Sequence, residues 1–244
     1  MRDYEKEFRS RVGWIRSLAE SAHAKGIVFG NSGGKDSALV GILCKAACAD
    51  TVGVIMPCAS KRNYGEDADD GRALAEAFAI ETRTVDLTAA REALLSAVSA
   101  AAEMNGQALV NIAPRLRMTT LYAIAAAEGR LVAGTGNRSE IYMGYFTKWG
   151  DGASDFDPIA DLTATEVFEF LEYLGAPRRI IDKAPSSVWP SNSPAEGAEM
   201  GVSYAEIDAF INGGAVGEKA AEIINGYHSR SGHKRRPVAV YGGE

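Results

Sequence analysis

The chain has 244 residues, 46% of them hydrophobic, which predicts one globular domain, 1–244, with a substantial core. The formal net charge of -6 disfavours a nucleic-acid partner. No apolar run approaches the ~20 residues that a membrane span needs, and the charged stretch 1–9 is unlike a secretory signal. We therefore expect a cytoplasmic protein that binds neither nucleic acid nor a membrane.

Apolar runs alternate with helical patterns along the first half of the chain. The runs predict strands over 26–29, 51–56, 82–87 and 131–133. Helices are predicted from residue 38 onward and over 67–78, 89–103 and 115–127. This alternation predicts an α/β fold, a doubly wound parallel sheet flanked by helices, with ligands at the carboxyl ends of the strands.

The second half of the chain contains long loops. Residues 144–155 are polar and rich in glycine, and a loop of this length inside a compact domain is more often functional than not. Thr163 and Ser203 each precede a glutamate by three residues, a capping-box pattern that predicts two helix starts. Between them, the Ser-, Pro-, Ala- and Gly-rich segment 185–201 predicts a mobile lid or a disordered stretch.

A glycine-rich loop follows the first predicted strand. Consecutive glycines let backbone N–H groups approach an anion, and the start of a helix favours negative charge there. Lys35 adds a cation, and Asp36 adds an oxygen ligand suited to Mg²⁺. The pattern predicts a cradle for nucleotide phosphates that consists of Gly30, Asn31, Ser32, Gly33, Gly34, Lys35, Asp36 and Ser37.

Two common nucleotide fingerprints do not fit this chain. The P-loop pattern requires glycine where Phe29 stands and a hydroxyl where Asp36 stands. The dinucleotide pattern requires a third glycine where the second loop, 134–139, has Ser139. The remaining pattern, Ser-Gly-Gly-x-Asp-Ser, resembles the pyrophosphate loop of the N-type ATP pyrophosphatases, which cleave ATP between its α and β phosphates.

Further motifs extend this resemblance along nearly the whole chain. They occur in the order found in the ammonia-dependent NAD⁺ synthetases and lie at 111–118, 134–140, 144–151 and 233–235. The resemblance implies ATP-dependent amidation of deamido-NAD⁺ to NAD⁺ with ammonia. The reaction passes through an acyl-adenylate and releases AMP and pyrophosphate. Glutamine-dependent relatives carry a glutaminase domain, which we do not expect in this chain.

The resemblance also implies roles for individual residues. The first loop would hold ATP with help from Thr135 and Ser186, Lys35 and Asp36 would act in catalysis, and Asp36 with Glu140 would hold Mg²⁺. Asp151 is the candidate that removes the proton from ammonium. A homodimer is implied, with deamido-NAD⁺ at the subunit interface; the ligand would contact Arg115, Lys148, Asp155, His233 and Lys234.

Some positions depart from the family pattern. Ala164 stands where many members have a lysine that reaches ATP, and Glu196-Gly197 replace an Asp-Glu pair. Lys183 or Arg179 are candidates to replace the lost cation. Two other functions stay open: another N-type pyrophosphatase, such as a GMP synthetase-like amidotransferase domain, and a non-catalytic dinucleotide-binding module.

Overall fold

The computed structural model describes residues 2–183 and 200–242, and its sheet has four parallel strands. The strands are β1 (Gly26–Gly30), β2 (Thr51–Ile55), β3 (Glu81–Thr84) and β4 (Arg130–Ala133), and their order in the sheet is β3-β2-β1-β4. The helices are α1 (Tyr4–Ser21), α2 (Lys35–Ala47), α3 (Lys61–Tyr64), α4 (Glu66–Ala77), α5 (Thr88–Ser99), α6 (Gly106–Glu128), α7 (Arg138–Met143), α8 (Ala164–Tyr173), α9 (Arg178–Ile181), α10 (Tyr204–Ile211), α11 (Glu218–Arg230) and α12 (Gly232–Arg235).

Helices cover both faces of the sheet, because successive side chains of a strand point to opposite faces. Ile27 and Phe29 of β1 lie in a core shared with α1, α2, α4 and α8. Val28, between them, lies in a second core with Ala125 of α6. Strands β1 and β2 are buried on both faces and are largely apolar, as is typical of parallel sheets, whereas the edge strand β3 is polar and partly exposed. The predicted doubly wound α/β fold is confirmed.

The strand order places two loops side by side. β1 pairs with β2 on one side and with β4 on the other, so the chain changes direction across the sheet between β1 and β4. In open α/β sheets such a switch point forms a crevice at the carboxyl ends of the strands. The loops that follow Gly30 and Ala133 both leave the sheet at this crevice.

The helix predicted over 115–127 begins earlier in the structure. Asn105 caps its first turn, because Oδ1 of Asn105 accepts a hydrogen bond from the nitrogen of Ala108 over 2.9 Å. Pro114 lies inside the helix and contributes no N–H group. The helices predicted at Thr163 and Ser203 are present, each with a complete capping box.

The predicted lid over 185–201 lies, except for its last two residues, outside the described part of the chain, as does Ser186. Within the described ranges, the helices are too short or too polar to cross a lipid bilayer.

Candidate active site

The first glycine loop is anchored by Asn31. Its backbone nitrogen donates to the carbonyl oxygen of Val54, and its side-chain nitrogen donates to the carbonyl oxygen of Gly71, both over 2.9 Å. The Asn31 side chain is buried, and its Oδ1 atom has no hydrogen-bond partner among the described residues. Asn31 therefore fixes the loop to β2 and α4 at the point where it leaves β1.

Two glycines give this loop its shape. Gly33 has φ +72°, in the left-handed region that favours glycine, and a Cβ there would lie 2.2 Å from the carbonyl oxygen of Asp67. Gly34 precedes α2, and its nitrogen donates to Oγ of Ser32 over 3.2 Å. Ser37 Oγ donates to the Gly34 carbonyl over 3.0 Å. The result is a tight turn whose backbone leads directly into the N-terminus of α2.

The second glycine loop follows β4. Gly134 donates from its nitrogen to the carbonyl oxygen of Phe156 over 2.7 Å, and Gly136 donates to Oδ2 of Asp157 over 3.0 Å. A Cβ on Gly134 would lie 2.6 Å from Ser154 Oγ, so this backbone also packs too closely for a side chain. Half-buried Thr135 lies between the two glycines.

The two loops meet at Asn137. The side-chain nitrogen of Asn137 donates to Oδ1 of Asp36 over 3.0 Å. Asn137 also forms the capping box of α7, in which its backbone nitrogen donates to Oε2 of Glu140 over 3.4 Å. The two glycine loops therefore line one crevice, and Asp36 and Glu140 are both hydrogen-bonded to the same asparagine.

Buried carboxyl groups dominate the electrostatics of the crevice. Burial raises the pKa of Asp36, although the hydrogen bond from Asn137 and the charge of Lys35 oppose the shift. Burial also raises the pKa of Asp157 to about 6, and the charge of Asp36 adds to this shift. Two buried carboxyl groups, one of which raises the pKa of the other, favour a bound cation beside them.

The oxygen ligands present fit Mg²⁺. The described residues contain no group of three or more His, Cys, Asp or Glu side chains placed to hold a metal ion. Mg²⁺ is usually bound through one or two carboxylates, and phosphate oxygens and water complete its shell. Asp36 and Glu140, next to the first glycine loop, fit that arrangement.

The predicted deamido-NAD⁺ contacts form a cationic cluster. Lys148 Nζ donates to the carbonyl oxygen of His233 over 2.7 Å, and Arg115 Nη2 donates to the carbonyl oxygen of Lys148 over 3.4 Å. Lys234 Nζ donates to the carbonyl oxygens of Gly144 and Phe146 over 2.7 and 2.6 Å. The basic C-terminal residues thus pack on the loop 144–149 rather than form a solvated tail.

The carboxylates of Asp155 and Asp151 make structural hydrogen bonds. Asp155 accepts from the nitrogen of Val132 over 2.8 Å and from the hydroxyl of Tyr122 over 3.2 Å. Asp151 is exposed as a residue, but its Oδ1 turns inward and accepts from the Thr147 nitrogen over 3.0 Å. Desolvation raises the pKa of the Asp151 carboxyl, while hydrogen bonds and the charge of Lys234 oppose the shift.

Known proteins resemble this chain over its full length. A profile of the NAD synthase family matches residues 7–238. The chain belongs to the NAD synthase family. An NH(3)-dependent NAD(+) synthetase of Carboxydothermus hydrogenoformans is 43% identical over 96% of each chain.

Two solved structures in this comparison share both fold and sequence with the chain. NMN synthetase from Francisella tularensis superposes with a TM-score of 0.92 at 37% identity, with 100% of both chains covered. NAD⁺ synthetase from Burkholderia pseudomallei superposes with a TM-score of 0.78 at 30% identity, covering 96% of this chain and 91% of that one.

This member of the NAD synthase family has site residues to which the sequence alone assigned no role. Asn137 joins the two loops, and Asp157 holds the second one. Arg117, which is half-buried, donates to the Met56 carbonyl over 3.1 Å and to Asn63 Oδ1 over 3.0 Å, and desolvation lowers its pKa. Asn137 and Arg117 lie inside recognisable motifs, whereas nothing in the sequence pattern singles out Asp157.

Of the two cations suggested to replace the family lysine at Ala164, one touches the first glycine loop. Lys183 Nζ lies 3.4 Å from the Gly33 carbonyl oxygen. Arg179 Nε instead donates to Asp70 over 2.6 Å. The nitrogen of Ala164 donates to Ser139 Oγ over 3.1 Å, which places the start of α8 against α7.

Proposed function

We propose that this chain is an ammonia-dependent NAD⁺ synthetase, a ligase that amidates deamido-NAD⁺ and converts ATP to AMP and pyrophosphate. The observation that carries the proposal is the hydrogen bond from Asn137 to Asp36 in a member of the NAD synthase family. This bond brings Asp36, the first glycine loop and the second glycine loop together in one crevice, which supports the proposal.

ATP occupies the two glycine loops in this proposal. Backbone N–H groups at the start of α2 face the phosphates, and the helix dipole favours their charge. Lys35 neutralises the charge that develops on the leaving pyrophosphate, while Thr135 and Ser186 supply hydroxyl contacts. These roles need no covalent attachment to the protein, so alignment and electrostatics supply the rate enhancement.

Asp36 and Glu140 would hold Mg²⁺ beside the phosphates. The bound ion would supply Lewis-acid stabilisation of the phosphate oxygens. The raised pKa of Asp36 is consistent with this role, because an adjacent cation would restore the charged form that burial disfavours.

The cationic cluster of Arg115, Lys148, His233 and Lys234 binds deamido-NAD⁺ in the proposal. This substrate carries a pyrophosphate and a nicotinate carboxylate, and fixed cations suit both groups. Asp155 would accept from ribose hydroxyls, because a carboxylate oxygen can accept a second hydrogen bond.

The reaction then has two steps. A nicotinate carboxylate oxygen attacks the α-phosphate of ATP, the bond to the β-phosphate breaks, and an acyl-adenylate forms. Ammonia attacks the acyl carbon and AMP leaves with the carboxylate oxygen. We assign Asp151 to accept the proton of ammonium, because burial raises the pKa of its carboxyl group in the direction of neutral pH.

A second candidate substrate is nicotinate mononucleotide, with NMN as its product. The solved NMN synthetase with a TM-score of 0.92 favours it. The chemistry at the carboxylate is the same, and the substrates differ only in the adenylate half. The cationic cluster has enough charge for either ligand.

We also propose a homodimer in the cytoplasm. None of the residues of α5, a helix that is described throughout, is buried, although its sequence includes Ala, Leu and Val. Along α6, which is also fully described, the buried residues are Ile112, Pro114 and Ala125. Two apolar helices with this little cover need a partner surface, and a second copy of the chain can supply it.

One assay separates the two proposed substrates. The purified chain is incubated with ATP, Mg²⁺ and ammonium, and either deamido-NAD⁺ or nicotinate mononucleotide is added. Formation of NAD⁺ with stoichiometric AMP and pyrophosphate supports the main proposal, and preferential formation of NMN supports the second. A chain that binds nucleotide without releasing pyrophosphate in either mixture is not this ligase, and Asp36→Asn serves as the inactive control.

A further inference from the structure

Lys183 lies in a buried cluster of charges beside the first glycine loop. Its ammonium donates to Asp67 Oδ1 over 2.8 Å and to Asp70 Oδ2 over 2.6 Å. The Lys183 side chain is 7% exposed and that of Asp70 is 3% exposed. Arg179 contacts the other oxygen of Asp70. A lysine this deeply buried is expected only when it is paired, and here two carboxylates of α4 pair with it.

Residue 183 contacts the first glycine loop twice, once through its own side chain and once through the side chain of Lys35. The Lys183 side chain reaches the carbonyl oxygen of Gly33, while the Lys35 side chain donates to the carbonyl oxygen of Lys183. Gly33 itself abuts the Asp67 carbonyl, where a Cβ would not fit. The turn of the loop and the amine of Lys35 are therefore held by the same residue.

These contacts make Lys183 a poor candidate for a phosphate ligand. An ammonium group has three donors, and those of Lys183 are directed at Asp67, Asp70 and Gly33. Contact with ATP would require breaking a buried ion pair, which is strongly unfavourable. Replacement of the family cation at position 164 by Lys183 is thus disfavoured by the geometry.

We propose that Lys183 is a positioning residue for ATP: its ammonium fixes the Gly33 turn through the Gly33 carbonyl oxygen, and its own backbone carbonyl oxygen holds the amine of Lys35 beside the loop. The inference rests on the proposed use of this loop for ATP. It assigns to the Asp67–Asp70–Lys183 cluster a role in nucleotide affinity in addition to its role in the fold.

The test compares Lys183→Met with Arg130→Met. The Arg130 side chain is likewise 7% exposed and pairs with Asp50 and Glu128, but it starts β4, at the end of the sheet opposite the loops. Both variants lose a buried cation of similar exposure. ATP affinity is measured by direct calorimetric titration, and the Michaelis constants for ATP and ammonium are measured in the coupled reaction.

Lys183→Met should weaken ATP binding by at least ~10-fold, since hydrogen bonds to charged groups are involved, and leave the Michaelis constant for ammonium unchanged. Arg130→Met should retain ATP affinity despite a similar loss of thermal stability. Equal ATP affinity of Lys183→Met and the wild type would overturn the inference, and so would equal weakening in both variants.

A charge-matched double variant separates positioning from simple repulsion. In Lys183→Met with Asp70→Asn, the buried cation and one carboxylate are removed together. Weak ATP binding in this variant supports positioning, whereas recovery of affinity shows that Lys183 acts only by neutralising charge and overturns the inference. The proposed ligase activity is judged separately, from NAD⁺ formation by the wild type.

Discussion

The side-chain nitrogen of Asn137 lies 3.0 Å from Oδ1 of Asp36, although the two residues follow different strands of the sheet. The backbone nitrogen of Asn137 donates to Oε2 of Glu140, so both candidate metal ligands are hydrogen-bonded to Asn137. An amide can donate to a carboxylate without removing its charge, which leaves Asp36 able to bind a cation. The predictions below follow from this arrangement and from the surfaces around it.

Asp36→Asn and Glu140→Gln should each reduce pyrophosphate release by at least ~100-fold, because loss of a charged metal ligand removes several kcal/mol of transition-state stabilisation. Each replacement keeps one side-chain oxygen that can accept the hydrogen bond made in the native site. Circular dichroism should therefore show an unchanged fold. Near-normal pyrophosphate release by either variant would remove that residue from the metal site.

The chain should sediment as a dimer at micromolar concentration. Leu94→Glu, on exposed α5, should shift the equilibrium towards monomer, because formation of the proposed interface would bury the charge of the new glutamate. Trp14→Glu is the matched control, since exposed Trp14 lies on α1, which packs on the opposite face of the sheet. A wild-type species near 25.9 kDa with full activity would contradict the prediction.

Ala164→Lys should lower the Michaelis constant for ATP and leave that for ammonium nearly unchanged. A charge-assisted hydrogen bond to phosphate contributes about 1.5–3 kcal/mol, which corresponds to about 10- to 150-fold in affinity. Ala164→Gln has a long neutral side chain and serves as the control for bulk. If the lysine variant has the same ATP constant as the glutamine variant, position 164 does not reach ATP in this chain.

Asp157 should make the unfolding free energy depend on pH. Its folded pKa of about 6 lies above the ordinary value of 3.8 for an aspartate, so the folded state binds the proton more tightly. This contribution to stability is present below the unfolded pKa and is lost as pH rises to about 6; the difference between the two pKa values corresponds to about 3 kcal/mol.

Asp157→Asn removes this titration. It also leaves one side-chain oxygen where the carboxylate has two, so the nitrogen of either Gly136 or Ile159 loses its acceptor. The variant should therefore be most destabilised, relative to the wild type, near pH 4, and the difference should shrink towards pH 7. Chemical denaturation of both proteins without Mg²⁺ checks this. A difference that stays constant from pH 4 to pH 7 would show that Asp157 has an ordinary pKa.

Strands β1 and β2 could be predicted from the sequence because they are buried on both faces and are therefore largely apolar. The edge strand β3 has the polar sequence Glu-Thr-Arg-Thr and ends at Thr84, before the predicted end at residue 87. The start of α6 could not be predicted, since Pro114 and the polar Asn111 interrupt the helical pattern that tertiary packing nevertheless completes. Helix α1 was not predicted either. Charged residues lie between its apolar residues. The apolar residues do recur at helical spacing and are buried or pack on the core: Tyr4, Phe8, Val12, Ile15, Leu18 and Ala19.

The glycine loops of the candidate site could also be predicted, because their residue types are set by local geometry. The roles of Asp157 and Lys183 could not. A single acidic or basic residue in a loop gives no periodic signal, and its burial depends on segments distant in the chain. Lys183, for example, contacts Gly33 across 150 positions of sequence.

The separation of these contacts along the chain has a consequence for folding. Asp36 and Asn137 are 101 positions apart, and Lys148 and His233 are 85 apart. Closing loops of this length costs conformational entropy before the contacts can stabilise them, and folds with many such contacts form slowly. Among the described residues, the side chains that line the crevice come from elements far apart in the chain. Recovery of activity after dilution from denaturant therefore requires the whole fold to form. The far-ultraviolet circular dichroism signal, to which helices such as α1 and α6 contribute, should return earlier.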